Sequence, residues 1–250
     1  MENLLTIKDL SYAYHTLQGE TTVLNHVNFS IKDGEFVAIV GPSGCGKSTL
    51  LSLICNLLVP DEGTIQLSEG KKIGYMLQKD HLLEWRSTKK NVALGPEISH
   101  QLSPEIYLQI DTMLKNYGLI GFKNAKPSQL SGGMRQRAAL IRTLMLEPDL
   151  LLLDEPFSAL DYQTRLSVAD DIWQILRKEH KTALLITHDI SEAISMADRI
   201  LILTPRPATI SKEIPIHLTC PSERTPFLSR SAPEFKDYFN QVWKELNRHE

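Results

Sequence analysis

The sequence predicts an α/β fold: a core with a mainly parallel sheet, an amino-terminal antiparallel β subdomain and an inserted α-helical subdomain. Three observations carry this expectation. The continuous apolar run at residues 36–40 and the segments 150–153 and 183–187 have the character of strands buried on both faces of a parallel sheet. Helix-period apolar spacing falls between them, giving the strand–helix alternation of an α/β core. From 87 to 146 the pattern is helical with no strand, which reads as an insertion.

Each element follows from its own pattern. Alternation at Leu5 and Ile7, and at Val23, Val27, Phe29 and Ile31, predicts the early strands. Lys32-Asp33-Gly34-Glu35 is a turn into the first buried run. Leu50, Leu53, Ile54, Leu57 and Leu58 predict a helix that Pro60-Asp61-Glu62-Gly63 stops. Short strands are expected at 64–67 and 73–77. Met134, Ala138, Ile141 and Met145 mark a helix stripe in the insertion. Leu166, Ala169, Ile172, Trp173 and Leu176 share one face of a helix between the later buried strands. Further strands are expected at 199–203 and 208–214. Residues 215–232 are rich in proline, serine and charge and read as irregular. Residues 233–247 read as a last helix with Phe235, Phe239, Val242 and Leu246 on one side. The organisation is a single domain over 1–250. Its core comprises 1–86 and 147–214, its helical subdomain 87–146, and its carboxyl-terminal extension 215–250.

Composition removes several classes. The 250 residues are 42% hydrophobic and 23% charged, as in ordinary globular proteins and unlike disordered or fibrous chains. With 27 basic and 30 acidic side chains the formal charge is −3, which argues against nucleic acid as the main partner. Cys45, Cys55 and Cys220 form no C-x-x-C pair and suit a reducing compartment. The eight histidines form no His-x-x-x-His pair, which argues against a structural zinc. No segment reaches the roughly 18 apolar residues of a membrane span, and residues 1–9 lack a signal-peptide core. The expected location is cytoplasmic, with any membrane link supplied by a partner.

The chemistry begins at Gly41-Pro42-Ser43-Gly44-Cys45-Gly46-Lys47-Ser48-Thr49, a complete G-x-x-x-x-G-K-S/T sequence after a buried strand and opening a helix. Its glycines let backbone N–H groups curl around phosphate, and the helix amino terminus adds partial positive charge. Lys47 can reach the β- and γ-phosphates, and the Ser48 hydroxyl can ligate Mg²⁺. The core is therefore expected to be a P-loop NTPase. The apolar run 150–153 then delivers Asp154 and Glu155 at its carboxyl end, where open α/β sheets bind ligands. Asp154 suits the Mg²⁺ shell, and Glu155 suits a general base acting on water. Cys45, beside a helix amino terminus, is expected to favour thiolate and to be alkylated unless ATP protects it. The alternative is a small residue that merely fits the loop.

Leu130-Ser131-Gly132-Gly133-Met134-Arg135-Gln136-Arg137 resembles the signature of ABC ATPases, with Met134 where many members have glutamine. Gln78 is similar to the Q-loop glutamine, Ser158-Ala159-Leu160-Asp161 to the D-loop, and His188 to the H-loop histidine. Tyr14 is similar to the aromatic that stacks on adenine, with Tyr12 as its rival. Blander readings exist: Asp161 could cap the following helix, and Asp189 with Glu192 has near capping-box spacing beside His188. The resemblance spans about residues 5–210. It implies a head-to-tail homodimer with two ATP at the interface. Each ATP would lie between residues 41–49, Tyr14 and Gln78 of one chain and Ser131, Gly132 and Gly133 of the other. It further implies Ser48, Gln78 and Asp154 at Mg²⁺, with Glu155, His188 and Lys47 as catalytic residues.

Residues 77–85, ending Leu82-Leu83-Glu84-Trp85, and residues 203–210, around Arg206-Pro207, resemble the nitrate/sulfonate/taurine importer group, as does Gly118-Leu119-Ile120-Gly121-Phe122. That resemblance implies a motor docked on an integral permease at the cytoplasmic membrane face, served indirectly by a solute-binding protein. Pyrimidine-precursor importers belong to the same group, and the chain does not name its cargo. Trp85 reads either as a permease-coupling residue or as a core residue of the helical subdomain. A soluble ABC ATPase of cofactor assembly or repair is the alternative function.

Overall fold

A computed structural model describes residues 2–17, 19–158 and 160–249. Ala159 of the proposed D-loop lies outside the described residues, as do the end points of the domain limits, Met1 and Glu250.

An antiparallel sheet has the order β2–β1–β4, with β1 at Asn3–Thr16, β2 at Gly19–Lys32 and β4 at Glu62–Leu67. A six-stranded sheet has the order β5–β6–β7–β3–β8–β9. Its strands are β3 (Phe36–Val40), β5 (Ile73–Met76), β6 (Leu150–Asp154), β7 (Thr182–Ile186), β8 (Arg199–Leu203) and β9 (Ile210–Pro215). All pairings within it are parallel except β8 with β9. The fold is α/β, as the sequence predicts.

Both faces of the larger sheet are covered, and the two-residue pleat sorts each strand between two cores. Phe36, Ala38, Val40, Leu151, Leu153, Ala183, Leu185, Ile200 and Ile202 face one cluster. Val37, Ile39, Leu150, Leu152, Leu184, Ile186, Leu201 and Leu203 face the other. The first cluster gathers the helical segment and α6 (Tyr162–Lys178). The second gathers the antiparallel sheet and α1 (Lys47–Ile54). This double burial explains why these strands read as unbroken apolar runs.

The segment between β5 and β6 is helical: α2 (Thr88–Val92), α3 (Leu94–Ile98), α4 (Pro104–Asn116) and α5 (Gly132–Leu144), with short 3₁₀ turns before α5. The order continues with α7 (Ile190–Met196), α8 (Pro226–Ser229) and α9 (Phe235–Leu246).

Four expectations are corrected. Helix α1 ends at Ile54, before Leu57 and Leu58: Asn56 turns left-handed at φ 57°, and the Leu57 and Leu58 N–H groups both close back on the Ser52 carbonyl. Leu57 is therefore exposed, not on a buried helix face. The last strand begins at Ile210 rather than at 208, because Ala208 instead bonds β2: its N–H donates to the Val23 carbonyl. The tail 215–232 contains α8, which the Thr225 hydroxyl caps and Pro226 opens, a favourable start for a helix. Trp85 is 74% exposed, so the core reading of that residue fails.

Candidate active site

The phosphate loop runs from the end of β3 to the start of α1. Gly46 has φ 119°, and a Cβ there would lie 2.6 Å from Val23 Cγ1. Glycine is therefore required by both backbone and space. Lys47, only 7% exposed, is held over the loop: Nζ donates to the Gly41 carbonyl at 2.8 Å and to the Pro42 carbonyl at 2.9 Å. Tyr14, Ser43, Gly44, Ser48 and Thr49 line one cleft with Lys47, and Glu155 reaches it. The cleft has a volume of about 320 Å³. Pro42 and Cys45 lie in the loop itself. The Tyr14 hydroxyl is 3.4 Å from Thr49 Oγ1, and its ring packs edge-on against Tyr12 at 5.1 Å. Tyr14 lines the cleft, whereas Tyr12 packs against the second core, so the geometry favours Tyr14 over its rival.

The strand ends supply the acidic groups. Asp154 closes β6, with Oδ1 accepting from the Ser48 hydroxyl at 3.4 Å and Oδ2 from the Tyr75 hydroxyl at 3.2 Å. Burial pushes its pKa up and the adjacent Glu155 adds to that, while both hydroxyl bonds oppose it. A cation beside it would restore the charged form. Glu155 follows at φ 43°, its N–H tied to the Ile186 carbonyl of β7 at 2.8 Å. Its Oε2 accepts from Gln78 Nε2 at 3.1 Å and lies 3.2 Å from His188 Nδ1. Three residues far apart in sequence thus meet at one carboxylate oxygen, at the carboxyl ends of β5, β6 and β7.

The residues flanking His188 are held by a hydrogen-bond network. The Thr187 hydroxyl donates to the buried Glu192 carboxylate at 2.6 Å and accepts from the Asp189 N–H at 3.0 Å. Asp189 caps α7 through the Ser191 and Glu192 N–H groups. This corrects the capping-box reading: the Glu192 side chain turns to Thr187 rather than back to the Asp189 N–H. Cys45 is also corrected. It is 2% exposed, and burial raises its thiol pKa more than Lys47 and Arg206 lower it. The thiol is held protonated instead of favouring thiolate.

The segment that resembles the signature lies elsewhere on the chain. Ser131 caps α5, accepting from the Met134 N–H at 3.3 Å. Gly133 has a packing role, since a Cβ there would lie 2.7 Å from Thr164 of α6. Ser131 and Gly132 are exposed and do not line the phosphate cleft of their own chain. Asp161 caps α6 through the Thr164 N–H at 3.1 Å, which draws its carboxyl below the ordinary range.

Three lining or supporting residues were not picked out as site residues from the sequence: Val23 on the cleft wall, Tyr75 behind Asp154, and Arg206 on the rim. Arg206 sits in the stretch that was read only for its subgroup likeness. Its signal was a lone cation three residues after a core strand.

A family model described as ABC transporter matches residues 24–158. The chain belongs to the ABC transporter ATP-binding family. An uncharacterized ABC transporter ATP-binding protein of Bacillus subtilis (strain 168), YtlC, is 44% identical, over 98% of this chain and 96% of that protein. The formylaminopyrimidine import ATP-binding protein ThiZ of Halalkalibacterium halodurans is 42% identical, over 83% of this chain and 82% of its own. The aliphatic sulfonates import ATP-binding protein SsuB of Bacillus licheniformis is 38% identical, over 91% and 88%. Among solved structures, the ATP-binding cassette MJ0796, a dimer in a post-hydrolysis state bound to ADP and Pi, matches with TM-score 0.74. It is 30% identical, over 85% of this chain and 99% of that one. As an ABC family member, this chain is an ATP-binding hydrolase. No helix among the described residues is long and apolar enough to cross a membrane.

Proposed function

We propose that this chain is the ATP-hydrolysing motor of an importer, acting as a head-to-tail homodimer beneath a separate permease on the cytoplasmic membrane face. The observation that carries the reading is the Glu155 carboxylate, held between Gln78 and His188 at the strand ends and reaching the phosphate-loop cleft. In this reading Tyr14 stacks on the base, and the N–H groups of residues 41–49 cradle the phosphates. Lys47 neutralises the β- and γ-phosphates. Glu155 accepts a proton from the attacking water, and His188 fixes the carboxylate's direction. Ser131, Gly132 and Gly133 of the second copy close the site, and Asp161 lies at the same interface. The exposure of Ser131 and Gly132 away from their own cleft supports a site completed by two chains.

The residues also fit Mg²⁺. The Ser48 hydroxyl and an Asp154 oxygen, 3.4 Å apart, are hard donors of the kind this ion takes alongside waters and phosphate oxygens. The Gln78 side-chain oxygen is the third candidate ligand. When bound, the ion would offset phosphate charge during transfer.

Likeness to the SsuB and ThiZ subunits supports an importer of the nitrate/sulfonate/taurine/pyrimidine-precursor group. Cargo is then chosen by the permease and a solute-binding protein. The exposed Leu77, just before Gln78, and Trp85, on the loop after it, suit a permease contact that senses the site.

The test is affinity purification of tagged Glu155→Gln protein from its native cells with ATP present. Recovery of an integral permease supports the importer. Recovery of soluble partners alone overturns it in favour of a soluble ABC ATPase.

A further inference from the structure

We infer that Arg206 is a second phosphate-contacting cation of the nucleotide site, acting from outside the phosphate loop. This rests on the nucleotide-site reading above and adds a residue to it. Arg206 lines the cleft with Ser43, Gly44, Lys47 and Glu155. It comes so close to the loop that a Cβ on Gly44 would lie 3.0 Å from its Nη2. The guanidinium therefore lies against the phosphate loop itself.

The turn that carries it is fastened on both sides. The Thr204 N–H donates to the Thr209 carbonyl at 3.0 Å, and the Thr209 N–H donates to the Thr204 hydroxyl at 3.0 Å. Ala208 is stitched to β2: its N–H donates to the Val23 carbonyl at 2.8 Å, and its carbonyl accepts from the Asn25 N–H at 2.9 Å. Val23 is the same residue that forces glycine at position 46. At the other end of the turn, Leu203 packs against Gly41, where a Cβ would lie 3.0 Å from Leu203 Cβ. The backbone of the turn is thus registered against the phosphate loop at both of its ends, which sets the backbone position of Arg206.

Its charge has no visible protein counterpart. Among the described residues no carboxylate forms an ion pair with Arg206, while the cleft's one acidic group, Glu155, is engaged by Gln78 and His188. An exposed cation, carried to a ligand cleft by a fastened turn and without a protein anion, calls for an anionic ligand. A guanidinium fork matches phosphate oxygens in geometry as well as charge. Lys47 meanwhile serves the inside of the loop, where Gly41 and Pro42 hold it. The pair would grip the phosphate chain from two directions.

The experiment is calorimetric titration of the full chain with ATP, ADP and adenosine. Wild type is compared with Arg206→Ala, Arg206→Gln and Arg206→Lys at low and high KCl, after nucleotide-free melts have matched their folding. Removing the charge should weaken ATP and ADP about tenfold, the scale of one charge-assisted hydrogen bond. Adenosine binding should not change. Arg206→Lys should recover part of the loss, and ATP affinity should depend less steeply on salt in the alanine and glutamine variants. Unchanged ATP affinity in those variants, or an equal loss for adenosine and ATP, overturns the inference. Wild-type protein that binds no ATP would instead overturn the nucleotide-site reading on which it rests.

Discussion

Glu155 holds a left-handed backbone at φ 43°, which costs a non-glycine residue on the order of 1 kcal/mol. The bond from its N–H to Ile186 maintains the conformation and turns the carboxylate toward Gln78 and His188. Replacing Glu155 by glutamine should leave ATP affinity near wild type and lower turnover by about 10²–10⁴, the usual weight of a general base. Steady-state turnover beside equilibrium binding checks this, and wild-type turnover would remove Glu155 from the role. Lys47→Ala should lose ATP affinity, read by the same titration. Cys45 leads to the opposite of the expected reactivity. Buried and held protonated, it should stay unmodified by iodoacetamide at neutral pH in folded protein, as peptide mass mapping would show. Lys47, Ser48 and Asp154 were legible because each belongs to a contiguous motif with a mechanical reason for its spacing. Arg206 carries no local pattern. Only the stitching of its turn to β2 brings it to the loop, and that contact is invisible along the chain.

At the scale of elements, α5 grips the segment after Gln78. Arg135 forks onto Asp80 at 2.8 and 3.0 Å and reaches Glu84 at 2.8 Å. Arg142 caps the Asp80 and His81 carbonyls at 2.7 Å each. Burial alone would raise the Asp80 pKa, but the bonds from Arg135 and the Leu82 N–H outweigh it and leave it below the ordinary value. A depressed carboxyl stabilises the fold above its unfolded pKa of about 3.9 and loses that contribution as pH falls through the folded value. The stability difference between wild type and Asp80→Asn should therefore be largest near neutrality and shrink as pH falls from about 4 through the lower folded value, beneath which neither side chain is charged. Urea unfolding at several pH values measures it, and a pH-independent difference would rule out the linkage. The inner strands β3, β6 and β7 were legible because burial on both faces leaves an apolar run. The end of α1 was not, since Leu57 and Leu58 continue the helical spacing while the left-handed Asn56 breaks the backbone. Helix α8 was hidden by a proline that starts it instead of excluding it.

At the scale of the molecule, the two cores divide the work. One holds α1 and the phosphate loop against the antiparallel sheet. The other joins α5 and its signature to α6 and the strand ends. The signature cap, Ser131, is thereby presented outward, and the acidic strand ends face the cleft. On the proposed reading, the chain exposes one half of a nucleotide site and, separately, the lid for another. This division was readable only through resemblance, since no spacing says that two segments serve different copies. Light scattering of Glu155→Gln protein during size-exclusion chromatography, with and without ATP, is the direct measurement. A shift from monomer to dimer mass with ATP, abolished by adding Ser131→Arg, is the expected result. A protein that binds ATP yet stays monomeric at every concentration would contradict the composite site.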